Sequence, residues 1–104
     1  MHDSPHAARV YAHGVMVSAL LRCKGAAARD AAETALVTAA GLIERCGART
    51  LAPALCEWRA ELAAVLGDDV TREQLLREAE QGYQEIGAPG HVARVRKEIG
   101  AVKT

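Results

Sequence analysis

Histidines at helical spacing occur near the start of the chain. His2 and His6 lie four residues apart, and His13 follows seven residues later. On one continuous helix these imidazoles would share a side and could bind a transition metal. Because the first helix is predicted to begin at Ser4, His2 precedes it and helical spacing does not extend to it. With no cysteine or carboxylate at ligand spacing, we predict no metal site.

Three cysteines, Cys23, Cys46 and Cys56, could in principle act as nucleophiles. A nucleophilic thiol needs a lowered pKa and a nearby base. Cys23 and Cys46 fall near the predicted C-terminal ends of helices, where the dipole raises a thiol pKa. We predict that all three are small core residues. An odd number without a CxxC pair also argues against a disulfide scaffold and favours a reducing compartment.

Carboxylates could supply acid–base chemistry, since Glu57 and Glu61 lie one helical turn apart and Glu73 and Glu80 follow at looser spacing. Such pairs act as catalysts only with shifted pKa values in a pocket. Several arginines stand close to them, so surface ion pairs are the favoured interpretation. No glycine-rich phosphate loop is present. We therefore predict no catalytic residue and no cofactor, so that the chain is not an enzyme.

Aromatic residues are the remaining candidates for chemistry, because they are enriched at interfaces with partner proteins. The chain contains only Tyr11, Trp58 and Tyr83. Trp58 and Tyr83 fit apolar stripes and are predicted to lie in the core. Tyr11 is not assigned to either class. If no further repeat precedes the first helix, its apolar flank stays open and favours self-association or a partner.

Composition limits the classes to which the protein can belong. A chain of 104 residues forms one domain, and a core without Phe must rely on Leu, Val, Ile and Ala. The net charge of zero argues against nucleic-acid binding. We attribute the basic cluster Arg94, Arg96 and Lys97 to the dipole of a short terminal helix. Neither a signal peptide nor a membrane span is recognisable, so we predict a cytoplasmic protein without membrane contact.

Helical periodicity and punctuation by glycine predict five helices and no sheet. The first runs from Ser4 to Lys24, the second over about 28–46, the third begins after Thr50, the fourth ends near residue 86, and a short last one spans about 90–99. Their apolar stripes contain Val10, Tyr11, Met16, Leu20 and Cys23 in the first helix; Ala32, Leu36, Ala39, Ala40 and Ile43 in the second; Leu51, Leu55, Trp58, Leu62, Val65 and Leu66 in the third; Leu75, Leu76, Ala79, Tyr83 and Ile86 in the fourth; and Val92, Val95 and Ile99 in the last.

Capping signals set the predicted helix ends. Thr50 is a candidate N-cap for the third helix, with Pro53 in its permissive first turn. The segment from Thr71 to Gln74 fits a capping box, in which each of the two residues accepts a hydrogen bond from a free backbone amide. The glycines that end the helices make short connections, so successive helices are predicted to be antiparallel.

An internal repeat is the most informative pattern. A shift of forty residues superimposes Gly47 on Gly87 and the helices before them, and a shift of forty-two superimposes Gly25 on Gly67. The repeated unit is a helical hairpin with a glycine turn and a glycine stop. One hairpin cannot bury its own apolar face, whereas two stacked hairpins share a core and a last helix covers the end. The predicted units are hairpins over about 5–47 and 51–87 and a capping helix over about 90–100.

The stretches ALVTAAGLIERCGA (35–48) and ELAAVLGDDVTREQLLREAEQGYQEIGA (61–88), continued by PGHVARVRKEIG, resemble tetratricopeptide-type repeats. In particular, they resemble the degenerate version at the C-terminal end of large bacterial signalling ATPases, which include nucleotidyl cyclases and helix-turn-helix activators. Gly67 and Ala79 keep the family spacing. Trp58 and Leu62 fall off its consensus places, and the second helices are longer than the usual 34-residue unit allows. The partner-binding residues therefore stay unassigned.

The expectation is a single all-α domain of about two repeats over 1–104. The resemblance implies a non-catalytic module for protein–protein interaction or regulation, as the C-terminal part of a larger bacterial signalling protein. Its partner would be another protein or another domain of the same parent. Two alternatives stay open. One is a small ligand-binding or enzymatic domain with a pocket between the hairpins that uses His13 or Glu57, and the other is a structural homodimer.

Overall fold

The computed structural model describes residues 4–103, with side chains described for 8–100. That part of the chain contains no strand, which confirms the all-helical class. None of its helices is long and apolar enough to cross a bilayer. The α-helices are α1 (Ser4–Lys24), α2 (Arg29–Cys46), α3 (Ala52–Val65), α4 (Asp69–Glu85) and α5 (Pro89–Lys103), with 3₁₀ turns at Gly25–Ala28 and Arg49–Leu51.

Glycines end α2 and α4 in the same way. Gly47 and Gly87 have φ angles of 66° and 73°, in the left-handed region that side chains disfavour. The amide after each glycine donates to a carbonyl five residues earlier, at 3.1 and 2.9 Å: Ala48 to Ile43, and Ala88 to Tyr83. These hydrogen bonds satisfy carbonyls that the helix itself leaves free. The two turns lie forty residues apart, the shift that the sequence predicts.

Asp68, and not Thr71, is the N-cap of α4. The Asp68 carboxylate accepts from the Thr71 amide at 3.1 Å and from the Thr71 hydroxyl at 2.6 Å. These two hydrogen bonds hold the Asp68 pKa below its usual range. The predicted capping box from Thr71 to Gln74 is therefore wrong. An aspartate three residues earlier reaches both donors, so the helix begins at Asp69.

Two other helix ends differ from the prediction. Thr50 lies inside the 3₁₀ turn Arg49–Leu51, and no side chain caps α3. Pro53 does occupy the first turn of α3, as expected. The last helix runs over Pro89–Lys103, beyond the predicted short capping helix. The basic cluster around Arg94 is consequently in the middle of this helix, where a dipole at the C-terminus does not explain it.

Side-chain contacts fix the directions of the helices. A Cβ added to Gly14 of α1 would overlap the Trp58 ring of α3, and the Ser18 hydroxyl donates to Glu61 one turn further along both helices. Because the contacts advance in the same direction, α1 and α3 run parallel.

The helices α3, α4 and α5 alternate in direction. Pro53 lies against Gly82, where an added Cβ would come within 2.6 Å of the proline ring. Further along α3, the Cys56 sulfur lies 4.0 Å from a carboxylate oxygen of Glu78, which is earlier in α4. Residues later in α3 therefore contact residues earlier in α4, so the two helices are antiparallel. The α4–α5 contacts follow the same rule, with Tyr83 on His91 and Glu80 bound to Arg96.

The apolar side chains form two clusters that share α3. The first lies between α1, α2 and α3, and the second between α3, α4 and α5. Most of the predicted core is confirmed, including the predicted residues of α5. Five residues of the predicted apolar stripes are exposed instead: Tyr11, Met16, Cys23, Leu66 and Ile86.

The error in α1 has a specific cause. Its buried side consists of Val10, Gly14, Val17 and Leu21, at spacings of four and three residues. The opposite side is apolar as well, so periodicity alone does not tell which side is covered. Only Val10 of the fully buried side was in the predicted stripe.

Candidate functional site

A groove of about 760 Å³ lies between α1, α3, α4 and α5. The side chain of Tyr11 and that of Val15 on α1 line one wall, and Trp58 of α3 lies next to them. Glu57 and Arg94 line the part nearer α5. The groove is open to solvent and is not an enclosed cavity, which suits a segment of another macromolecule better than a small ligand held on all sides.

Two aromatic rings form the apolar part of the groove. The Tyr11 and Trp58 rings meet edge to face, with centroids 5.8 Å apart and planes at 85°. This geometry is favourable for aromatic pairs. Trp58 is half-buried, because Gly14 lets the ring lie directly on the α1 backbone. The predicted core position of Trp58 is therefore only partly correct.

Glu57 is the centre of the polar part. Arg94 of α5 donates to both carboxylate oxygens of Glu57, at 2.5 and 3.0 Å, and the Tyr83 hydroxyl of α4 donates to one of them at 2.5 Å. Arg94 also bonds Glu98 at 3.2 Å. One carboxylate thus links three helices through charge-assisted hydrogen bonds. Tyr83 is buried as predicted, with its hydroxyl at this cluster.

These contacts shift the pKa values of the groups involved. Burial alone would raise the Glu57 pKa, but the hydrogen bonds from Arg94 and Tyr83 outweigh burial and lower it. The Tyr83 pKa is raised, first by burial and then by Glu57. The Arg94 pKa is raised by its hydrogen bonds to Glu57. Each shift favours the pair of charges and the neutral phenol that the hydrogen bonds require.

His91 completes this cluster at the start of α5. Its ring stacks on Tyr83, with centroids 4.6 Å apart and planes at 19°. Its Nδ1 atom lies 3.0 Å from Nη2 of Arg94. The cluster around Glu57 therefore attaches α5 to α3 and α4 through packed and polar contacts together.

Two arginines lie at the other end of the groove. Arg22 and Arg72 both line the groove, and within the described side chains neither forms an ion pair. The Nη1 atom of Arg72 is shielded from solvent and has no hydrogen-bond partner. Glu61, the carboxylate at this end, accepts a hydrogen bond from the Ser18 hydroxyl at 2.7 Å.

An exposed apolar strip continues from the groove along α1. Val15 is 66% exposed and Met16 is 45% exposed. The strip lies opposite the buried side of α1 and contains Ala8, Tyr11, Ala12, Val15, Met16 and Ala19, all exposed. Such a patch is typical of an interaction surface.

Glu57 and Glu61 both line the groove, but His13 and the three cysteines do not. His13 Nδ1 lies 2.8 Å from the Arg9 carbonyl on α1, and His13 does not line the groove that holds Glu57. The Cys56 pKa is raised, first by burial and then by Glu78, which disfavours the nucleophilic thiolate. Cys23 is exposed, so its predicted core role is wrong.

Metal ligands are not clustered either. No three His, Cys, Asp or Glu side chains meet as a metal site within the described residues. His2 and His6, the other two histidines at helical spacing, lie outside the described side chains.

Comparisons with protein-family models, with curated proteins and with solved structures found no match for this chain.

Sequence reasoning finds this groove only in part. The alternative with a pocket between the hairpins names Glu57, but nothing in the sequence pairs it with Arg94, which lies thirty-seven residues later. A signal did exist in α1, whose second apolar side is unnecessary for burial. When a helix already has one apolar side that is buried in the core, a second apolar side indicates an exposed interaction surface.

Proposed function

We propose that the protein is a non-catalytic helical-repeat module that binds another protein through the groove between α1 and α5. The carrying observation is the exposed apolar wall of Tyr11 and Val15 beside Trp58. Aromatic side chains in a partly desolvated groove are typical anchors for protein partners. The strip along α1 extends that surface beyond the groove.

The chemistry of Glu57 supports a structural role for this residue over a catalytic one. Both of its carboxylate oxygens accept hydrogen bonds from Arg94 or Tyr83. A lowered pKa makes the carboxylate a weak base, and a general base near neutrality requires the opposite shift. The proposal therefore sets the enzymatic alternative aside.

The proposed architecture is that of tetratricopeptide-type repeats, with α1–α2 and α3–α4 as two units and α5 as the cap. The glycine turns after α2 and α4, with equivalent hydrogen bonds forty residues apart, support this assignment. The core that α3 shares between both clusters supports it too. The setting that we propose is the C-terminal region of a larger bacterial signalling protein in the cytoplasm.

A pair of valine variants tests the proposed function. Val15 on the groove and Val37 on the outer side of α2 are 66% and 70% exposed, so a glutamate at either position should be tolerated by the fold. Affinity capture from the cells that make the protein is compared for the wild type, Val15→Glu and Val37→Glu. The proposal predicts proteins that are retained by the wild type and Val37→Glu and lost with Val15→Glu. Identical capture by both variants would contradict it.

The homodimer alternative is favoured by one observation, the exposed apolar strip on α1. Light scattering over a range of concentrations distinguishes the two functions. A mass that doubles with concentration for the wild type, and stays monomeric for Val15→Glu, would assign the strip to a second copy of the chain.

A further inference from the structure

The exposed strip of α1 has the spacing of a helix-packing seam. Ala8, Ala12, Val15 and Ala19 follow each other at intervals of four, three and four residues, and all four are exposed. Small side chains at this spacing allow a second helix to approach within about 8–10 Å. From Ala8 to Ala19 the seam is about 16 Å long, the length of three turns.

The polar groups of the groove are largely engaged with one another. Glu57 is bonded to Arg94 and Tyr83, and Ser18 is bonded to Glu61. An extended peptide would bury amides and carbonyls that need partners, and those partners are mostly taken. A helix satisfies its own backbone and needs only apolar contact with the wall.

The positive charge at one end of the groove favours a ligand that carries a negative charge there. Arg22 and Arg72 have no ion pair within the described side chains, whereas Arg94 at the other end is bound to Glu57 and Glu98. The shielded Nη1 atom of Arg72 also lacks an acceptor, which is costly for a cationic group. Arg72 as a whole is partly exposed, so a carboxylate of a ligand can approach its guanidinium.

We infer that the groove binds an amphipathic α-helix of a partner protein. Its apolar face lies on Trp58 and on Val15 and Ala19, the seam residues that line the groove, and an acidic side chain lies between Arg22 and Arg72. This inference rests on the proposed function and specifies its ligand. Ala and Val along the seam set the close approach of the helix, and the arginines set its direction along the groove.

Two displayed peptide libraries of about 14 residues, longer than the seam, serve as the probes. One has an Ala-rich helical framework with one face randomised, and the other has prolines at regular intervals that exclude a helix. Both are selected on the 104-residue chain, and binders are measured as free synthetic peptides. Trp58, the single tryptophan of the chain, reports binding through its emission.

We expect the binders to come from the helical library and to share an Asp or Glu at the same position of the peptide. Val15→Glu weakens them at least tenfold and Val37→Glu leaves them unchanged. Arg22→Glu weakens them at least fivefold, whereas Arg45→Glu, an exposed arginine at the end of α2, does not. Circular dichroism of each variant verifies the fold.

The outcomes separate this inference from the proposed function. If binders come only from the proline library and are weakened by Val15→Glu, the inference of a helical ligand is overturned, whereas the groove remains the binding site. Helical binders enriched in Lys or Arg would overturn the acidic contact. Binding unaffected by Val15→Glu in both libraries, or no binder from either, would overturn the inference and the proposed function together. Dimers that dissociate in Val15→Glu would make the occupant a second copy and overturn the partner helix.

Discussion

Gly14 determines how closely α1 and α3 approach at the groove. The Trp58 ring covers the position where a side chain would begin, so the ring and the glycine form one contact. Gly41, in the middle of α2, has open space around it and serves as the opposite case. Both glycines lie within α-helices, but only Gly14 is packed against a side chain. Comparing substitutions at the two positions therefore separates the effect of packing from that of helix propensity.

Gly14→Ala is expected to lower the free energy of unfolding by about 1–3 kcal/mol, because the methyl group must displace the Trp58 ring. Gly41→Ala is expected to raise it by about 0.5–1 kcal/mol, because alanine favours a helix over glycine. Urea unfolding measures both, and the emission maximum of Trp58 shifts only in Gly14→Ala. Equal effects of the two substitutions would show that Trp58 does not lie on Gly14.

Glu57→Gln is expected to lower the free energy of unfolding by about 1–3 kcal/mol at pH 7, since it removes charge-assisted hydrogen bonds to Arg94 and Tyr83. The Glu57 pKa in the folded protein lies below its ordinary value of 4.5. Its stabilising effect is therefore full above pH 4.5 and is lost as the pH falls below that value. Denaturant unfolding between pH 7 and pH 3 should show the wild type and Glu57→Gln converging.

Glu33→Gln is the control for this measurement. Glu33 forms an exposed ion pair with Arg29 at 3.4 Å within one helix. Exposed pairs of this kind contribute about 0–1 kcal/mol. A loss at Glu33 as large as that at Glu57, or a difference for Glu57→Gln that does not shrink in acid, would contradict the role given to the cluster around Glu57.

Individual residues were predicted well where only one side of a helix is apolar. Val92, Val95 and Ile99 are buried as expected, and so is Tyr83. The periodicity failed at Ile86, which belongs to the stripe of α4 but lies next to its final glycine turn and is exposed. At the last residue of a helix, the apolar periodicity extends past the neighbouring helix that would bury the side chain.

At the scale of the element, the start of α4 depends on one carboxylate. Asp68→Ala removes the acceptor for the amide and the hydroxyl of Thr71, so the first turn of α4 should fray. Melting temperature and amide exchange of Thr71 and Arg72 measure the effect. Asp68→Ser should retain most of the stability, because serine is also a preferred N-cap.

Asp69→Ala is the matched control, since Asp69 lies inside the helix and does not cap it. It should change the melting temperature less than Asp68→Ala does. A larger effect of Asp69→Ala than of Asp68→Ala would contradict Asp68 as the cap. A larger effect of Thr71→Ala, with Asp68 intact, would favour the cap at Thr71 that the sequence indicates.

The helices themselves could be predicted because glycine and proline mark their limits. Gly47 and Gly87 end helices with the left-handed backbone that glycine prefers, and Pro53 starts one. Caps were harder, since Asp68 and Thr71 are both good N-cap residues and only three positions apart. The choice depends on which carboxyl or hydroxyl reaches the amides, and this depends on the preceding turn.

At the scale of the molecule, the groove arises from the packing of helix pairs and has no counterpart in a single segment. Its walls come from α1, α3, α4 and α5, and its main polar link joins Glu57 to Arg94 across thirty-seven residues. No local pattern encodes this separation. The sequence could predict that an apolar flank of α1 stays open, but not which residues lie opposite to it.

The most direct measurement of the central claim is photocrosslinking in the cells that make the protein. A photoreactive amino acid replaces Val15 in one form of the protein and Val37 in another. Because a partner in the groove contacts Val15 and not Val37, we expect a crosslinked partner protein at position 15 and none at position 37, although the two side chains are almost equally exposed. Crosslinks of the same proteins at both positions, or at position 37 alone, would contradict a partner that binds in the groove.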